Sequence, residues 1–426
     1  MVVVTVAGSQ VERDVDRPSV VQERLEAFAG EVLAGAMNRP VQVRNGGLYL
    51  RGLIEDGARK SLEPLVLRLG ADADYQSMQQ FLADSPWDPA RVVQAVAERV
   101  APEIEVEAWV LDDTGFPKDG KDSPGVKRQY TGTLGKIANC QIGVSVHAVG
   151  KTGTVPLGWA LYLPEGWCED AQRRRKAKIP DEVVFKTKVE LAGDLVERAS
   201  GWAIPRAPVL GDHDYGRRGN LRARLDQAGC EYVLAVGSEP LVFEHGTTFE
   251  RKTKRGGVRK RPRPDRTPEP LGELIARLGQ GLAQTVNFRD GPDGQAVSSS
   301  FILTRVHVAH APGEQQHGPR SPESSPDAEL PPREEWLVAE WLPGAAKPTG
   351  YWLSNLPADT TPERLARLAR LRWKIELDYK QLKGELGLDH YEGRSWLGWY
   401  HHTALVTAAH GFLTLERLNP FHPRPA

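Results

Sequence analysis

Hydrophobic positions divide the chain into a helical start, a strand-rich middle and a helical end. Apolar residues at Val21, Leu25, Phe28, Val32, Leu33 and Met37 recur at helical spacing. Further helices are predicted from Asp74 to Leu82 and from Asp88 to Val100, the latter opened by Asp88 as cap and Pro89 in the first turn. From about residue 104 the period becomes that of strands. Ile104 to Asp113, Gln141 to Val149 and Val155 to Leu163 alternate and read as an antiparallel meander. The link between the first two, residues 115 to 139, is rich in glycine and carries Lys118, Lys127 and Arg128. A helix over Lys186 to Ala199, a strand over Ala207 to Asp212, a helix from Arg218 to Ala228 and a strand over Glu231 to Val236 follow. That order predicts an α/β fold, a mixed five-stranded sheet flanked by helices.

Residues 238–345 interrupt the pattern with short strand-like pieces and a segment, Ala311 to Pro332, rich in Pro, Ser, Gly and Glu. They read as a β-rich insertion with a flexible loop. After Trp352 to Leu356, one long helix is predicted, with Leu368, Leu371, Ile375, Tyr379, Leu382 and Leu386 on its buried stripe. The expected domains are 1–100, helical; 101–237 with 346–415, the α/β core; and 238–345, the insertion.

Composition adds bounds. In 426 residues, hydrophobic content is 40% and charged content 26%, as for a soluble globular protein. No run approaches the roughly 18 apolar residues of a membrane span, so no membrane association is expected. The start Met1 to Ala7 is too short for a signal-peptide core. Cys140, Cys168 and Cys230 have no metal spacing and fit a reducing cytoplasm. Net charge is −1, but Arg251 to Arg266 holds nine basic residues, among them Lys254, Arg255, Arg259 and Lys260, against one Asp. Such a run is either a solvated loop or a phosphate-tracking segment.

Three acids stand out by topology. Asp113 ends the first strand, Asp212 ends the fourth, and Glu376 lies on the late helix among Arg372, Lys380 and Lys383. If strands one and four adjoin and that helix crosses their ends, three carboxylates meet at one edge. Oxygen ligands of this kind suit Mg²⁺. Singly, each acid has an ordinary explanation as a turn former, helix cap or member of a solvated face. Strand parity does not choose between Asp112 and Asp113, and Asp214 is a lesser rival of Asp212.

Three segments carry a resemblance to a known family. They are Leu111-Asp112-Asp113-Thr114-Gly115-Phe116, with Gly125 to Thr133 and Asn139 to Gln141; Gly211-Asp212-His213-Asp214-Tyr215-Gly216; and Arg372-Trp373-Lys374-Ile375-Glu376 with Lys383. Together they resemble the DDE transposases of bacterial insertion sequences, the hairpin-type cut-and-paste group with an RNase H-like core. The likeness spans roughly residues 45 to 415. It implies a catalytic and metal-binding triad of Asp113, Asp212 and Glu376, Asp113 being the acid directly before Thr. It implies two Mg²⁺ ions, replaceable by Mn²⁺, and DNA phosphate contacts from Arg372 and Lys383. The expected partners are double-stranded DNA with terminal inverted repeats and target DNA, with a dimer in the DNA complex at the nucleoid. The signature tyrosine three residues before Arg372 is Ala369 here. An aromatic residue of the insertion, Trp336 or Trp341, would stack on a flipped base. The competing readings are a catalytically inactive, transposase-derived DNA-binding protein and a metal hydrolase of small phosphates. The cationic segments speak against the latter.

Overall fold

The computed structural model describes residues 18–217, 219–250, 263–291, 295–309 and 332–419. Lys254, Arg255, Arg259, Lys260 and nearly all of the segment from Ala311 to Pro332 lie outside the described residues.

The helical start comprises α1 (Pro18–Ala34), α2 (Pro40–Ile54), α3 (Leu62–Leu69), α4 (Tyr75–Ala83) and α5 (Pro89–Val100). The caps work as expected: the Asp74 side chain accepts from Ser77 N, and that of Asp88 from Ala90 N. Sequence periodicity misses α2, because Gly46 and Gly47 at its centre disfavour a helix. Gly46 has a packing reason, since a Cβ there would lie 2.6 Å from Leu33 Cδ1. The glycine lets α1 and α2 approach closely.

The sheet strands are β1 (Val106–Pro117), β2 (Lys127–Thr131), β3 (Lys136–Gly150), β4 (Thr154–Leu161), β5 (Val209–Gly211), β6 (Tyr232–Val236), β7 (Leu241–Glu244), β8 (Glu269–Pro270), β9 (Gln284–Asp290), β10 (Ala296–Val308), β11 (Glu334–Glu340) and β12 (Gly350–Ser354). Helices α6 (Lys188–Ser200), α7 (Gly219–Gln227) and α8 (Leu271–Leu278) lie between them, and α9 (Pro362–Leu371), α10 (Trp373–Gly384) and α11 (Trp396–Leu418) follow. The central order is β4-β3-β1-β5-β6, with β1 antiparallel to β3 and parallel to β5. This is the RNase H-like arrangement: strands one and four of the core adjoin, through Trp109 opposite Val209 and Val110 opposite Leu210.

Three features differ from the sequence expectation. The glycine-rich link forms β2, which pairs with a lengthened β3 as a ribbon. The sheet does not stop at β6. Edge strand β6 is covered by β12, which continues through β11, β10 and β7, so the insertion extends the same sheet to twelve strands among the described residues. An uncovered β6 would be an open template for pairing with another chain. Finally, the long late helix is broken at Arg372 into α9 and α10. The predicted stripe is nonetheless buried along both pieces.

One apolar core joins the helical start to the sheet. Leu25, Phe28 and Val96 share it with Val144, Leu195 and Phe412. Helix α11 is the hinge of this packing, with almost every residue from His401 to Phe412 buried. A second core, including Val242, Leu274, Leu337 and Trp341, lies within the extension.

Candidate active site

Strand alternation sends the two adjacent aspartates of β1 to opposite faces. Asp112 opposes Ser145 on β3, whose hydroxyl lies 2.8 Å from the Tyr379 hydroxyl of α10. Asp112 therefore faces α10. Its Oδ2 accepts from Arg372 Nη1 at 2.9 Å, and Arg372 Nη2 reaches Glu376 Oε1 at 2.8 Å. The break between α9 and α10 puts Arg372 at the head of α10, where one guanidinium spans both acids. Burial pushes the Asp112 carboxyl up to about 7; Arg372 opposes this and the charge of Asp212 adds to it. Asp113 turns the other way and accepts from Lys188 Nζ at 2.9 Å. Lys188 opens α6, whose start is fixed by a reciprocal Thr187–Glu190 capping box.

Asp212 follows β5 and so comes to the β1 edge. It caps the single turn His213–Gly216, its Oδ1 accepting from Asp214 N at 2.9 Å. Its carboxyl is raised above the ordinary range by burial first and by the charge of Asp214 second. The buried Tyr215 phenol is held far above its usual value by burial first, then by the charges of Asp113 and Asp112. Glu376 is the most open of the acids, with its side chain 59% exposed.

Helix α10 is docked by polar contacts as well as by its stripe. His147 Nδ1 lies 2.9 Å from Asp378 Oδ2, and Lys374 Nζ donates to Gly150 O at 2.7 Å. Lys383 Nζ donates to Gly115 O at 2.7 Å and to Thr133 Oγ1 at 3.0 Å, and burial pushes it down to about 8. The three separated sequence segments thus meet at one end of β1 and β5.

Comparison with known proteins supplies the family. The family described as DDE superfamily endonuclease matches residues 32–295, and the one described as Transposase DDE domain matches residues 186–412. Each covers more than half of the chain. The chain belongs to the DDE superfamily of endonucleases. It is also 31% identical over 194 residues to the probable transposase for insertion sequence element IS701 of Microchaete diplosiphon, covering 45% of this chain and 48% of that protein. The chain thus matches about half the length of that relative.

Within this DDE chain, the acids suit a hard divalent ion by donor chemistry. Among the described residues no three such groups close on one point. Cationic side chains stand against them instead: Arg372 between Asp112 and Glu376, and Lys188 on Asp113. By donor type these carboxylates would take a hard divalent ion in place of the cations now beside them.

The other expected contacts separate. Lys118 Nζ donates to the Tyr391 carbonyl, and burial pushes the lysine down to about 8. Lys127 and Arg128 are exposed on β2. Trp336 packs under Arg305, with its indole N–H on Pro357 O at 2.9 Å. Trp341 is 8% exposed in the second core and donates to Ala345 O. Buried in this way, Trp341 has no ring face to offer a base.

A different aromatic set borders the site. A cavity of about 540 Å³ adjoins Asp212 and Arg372 and is lined by Phe288, Arg289, Trp352, Ala369 and Trp373. The Arg289 guanidinium lies 5.1 Å from the Trp373 ring centre. Ala369, where the family signature would place tyrosine, keeps this space open. Sequence reading overlooks Lys188, His147 and Asp378 because none sits in a signature; only pairing across the sheet reveals them. It overlooks the cavity because Phe288 comes from a strand of the insertion and Trp352 from the strand that follows it.

Proposed function

We propose that the chain is a DNA transposase that cuts and joins DNA at the ends of an insertion sequence. The observation that carries this is the bridge from β1 to α10, Asp112–Arg372–Glu376, beside Asp212 at the parallel β5. It unites the three segments at which the family keeps its acids.

Asp113, Asp212 and Glu376 are the residues that would hold divalent metal, with Mg²⁺ the expected ion. Metals bound there would activate the attacking oxygen and stabilise the leaving one. Asp113 is taken over Asp112 because the resemblance puts the ligand directly before Thr; in this structure the bridge to Glu376 runs through Asp112, and Asp113 faces Lys188 on the other side. Arg372 and Lys383 bind the phosphates flanking the cut, and Lys118 adds charge behind them. The reaction runs as in-line displacements at phosphorus. Water nicks one strand, the freed 3′-hydroxyl attacks the opposite strand to give a hairpin, water reopens it, and the 3′ ends attack target DNA. Positioning by fixed cations supplies much of the catalysis.

Hairpin formation needs one nucleotide out of the stack. The cavity of Phe288, Trp352 and Trp373 with Arg289 suits an unstacked base with its phosphate. Two ends must be joined, so a dimer on inverted-repeat DNA is the expected complex.

The test uses duplex DNA carrying the sequences that flank the gene. The full chain should cleave it in Mg²⁺, and Asp113→Ala should abolish cleavage while sparing binding. Unchanged cleavage by that variant would sink the assignment. Binding without cleavage by the unaltered chain would establish the inactive DNA-binding alternative.

A further inference from the structure

The ribbon of β2 and β3, residues 127–140, reads Lys-Arg-Gln-Tyr-Thr-Gly-Thr-Leu-Gly-Lys-Ile-Ala-Asn-Cys. It holds three cations and no acid. Strand β2 ends the sheet order, so its outer edge has no strand beside it among the described residues. Tyr130 opposes Ile137 in the register, which puts both side chains on one face, with Arg128 two residues along on the same face. Tyr130 is 65% exposed and Ile137 59%, and Leu134 at the turn is exposed too. Lys127, Arg128 and Lys136 are exposed. No ion pair among the described residues engages them. An edge ribbon with bare apolar side chains invites aggregation unless something covers it.

The root of the ribbon is fixed to the candidate active site. Gly115 N donates to Thr133 Oγ1 at 3.2 Å, and Lys383 donates to the same oxygen. A Cβ at Gly115 would lie 1.9 Å from Thr131 Oγ1, so only glycine allows this seating. Gly115 is two residues beyond Asp113. Whatever the ribbon grips therefore lies against the DNA being cut.

We infer that the ribbon is a wedge that bends duplex DNA beside the cleavage site, an inference that rests on the proposed action on DNA. Lys127, Arg128 and Lys136 meet phosphates. Tyr130 and Ile137 press against a base step, where apolar side chains unstack neighbours and kink the duplex. The occupant is DNA because Arg128 adjoins the apolar pair on one face, Lys127 and Lys136 carry unopposed charge on the other, and the ribbon continues into Lys383. Charge supplies affinity and the two apolar groups supply the bend.

The test measures energy transfer between dyes at the two ends of a mixed-sequence duplex, using the full chain at low salt. The unaltered chain should bring the dyes together. Tyr130→Ala with Ile137→Ala should lose the bend while affinity falls less than about tenfold, and Tyr130→Phe with Ile137→Leu should restore it. Lys127→Ala, Arg128→Ala and Lys136→Ala together should reduce the slope of log affinity against log salt by about 2.7. Melting temperatures of all variants should stay near that of the unaltered chain, since these side chains are exposed. A bend that persists in the alanine pair, or an unaltered chain that binds without bending, overturns the wedge. So does a ribbon variant that only converts a dimer to monomer in sedimentation, because the face would then belong to a second copy. Absence of any duplex binding by the unaltered chain would instead strike the transposase reading itself.

Discussion

Arg372 binds Asp112 at 2.9 Å while its second nitrogen holds Glu376 at 2.8 Å. One side chain thereby fixes α10 against β1 and sets where Glu376 stands. The two-pronged geometry is specific to a planar guanidinium; a lysine ammonium can hold one acid but not fork to both. Arg372→Lys should therefore keep the fold and lower the cleavage rate by roughly 10–100-fold, the usual cost of losing a group that orients a ligand. Single-turnover cleavage under saturating DNA checks this. A rate equal to that of the unaltered chain would show that the bridge does not orient Glu376.

The adjacent aspartates should part company under substitution. Asp113→Asn is expected to lower Mg²⁺-dependent cleavage by at least about 10³-fold. Asp112→Asn, which releases only one prong of Arg372, should cost less than about 10²-fold. The measurement is the cleavage rate of each variant across a Mg²⁺ titration. A reversed order would move the ligand role to Asp112.

Docking of α10 can be probed away from the acids. Tyr379→Phe removes the 2.8 Å contact with Ser145 and leaves a buried hydroxyl without its partner. The expected loss is about 1–2 kcal/mol of stability. Urea unfolding monitored by circular dichroism reads it directly, and an unchanged midpoint would count against the contact.

Acid should loosen the helical start through His402. Its Nδ1 lies 2.9 Å from the Tyr49 hydroxyl, and its Nε2 faces the carbonyls of Gly387 and Leu388. Those carbonyls only accept, so Nε2 carries the proton and Nδ1 accepts from Tyr49. The ring is satisfied when neutral. Burial lowers its pKa to about 4 from the ordinary 6.5. The folded value lies below the unfolded one, so protonation favours unfolding. The contribution is complete above pH 6.5 and disappears as pH falls toward 4, by about 3 kcal/mol in all. Melting temperature followed from pH 7.5 to 4 should fall less steeply in His402→Gln than in the unaltered chain. Parallel curves would refute the assignment.

The sequence alone determined the α/β fold and the three segments that supply the acids. Those properties are local or nearly so: Asp88 caps its own helix, and Asp212 follows its strand by one residue. The buried stripe through Ile375 and Leu382 also follows from spacing, because a helix shows one face to a core whatever that core is. Tertiary structure decided the rest. Asp112 and Asp113 are neighbours in sequence, and only packing of α10 on one face and α6 on the other gives them Arg372 and Lys188. The break at Arg372 is invisible to periodicity, since α9 and α10 keep one stripe across it. The sheet extension through β12 arises because β6 would otherwise leave an open edge, and edge pairing joins residues that no sequence period links. The cavity beside Asp212 is of the same kind: Phe288, Trp352 and Trp373 come from three elements and share a wall only once the sheet has formed.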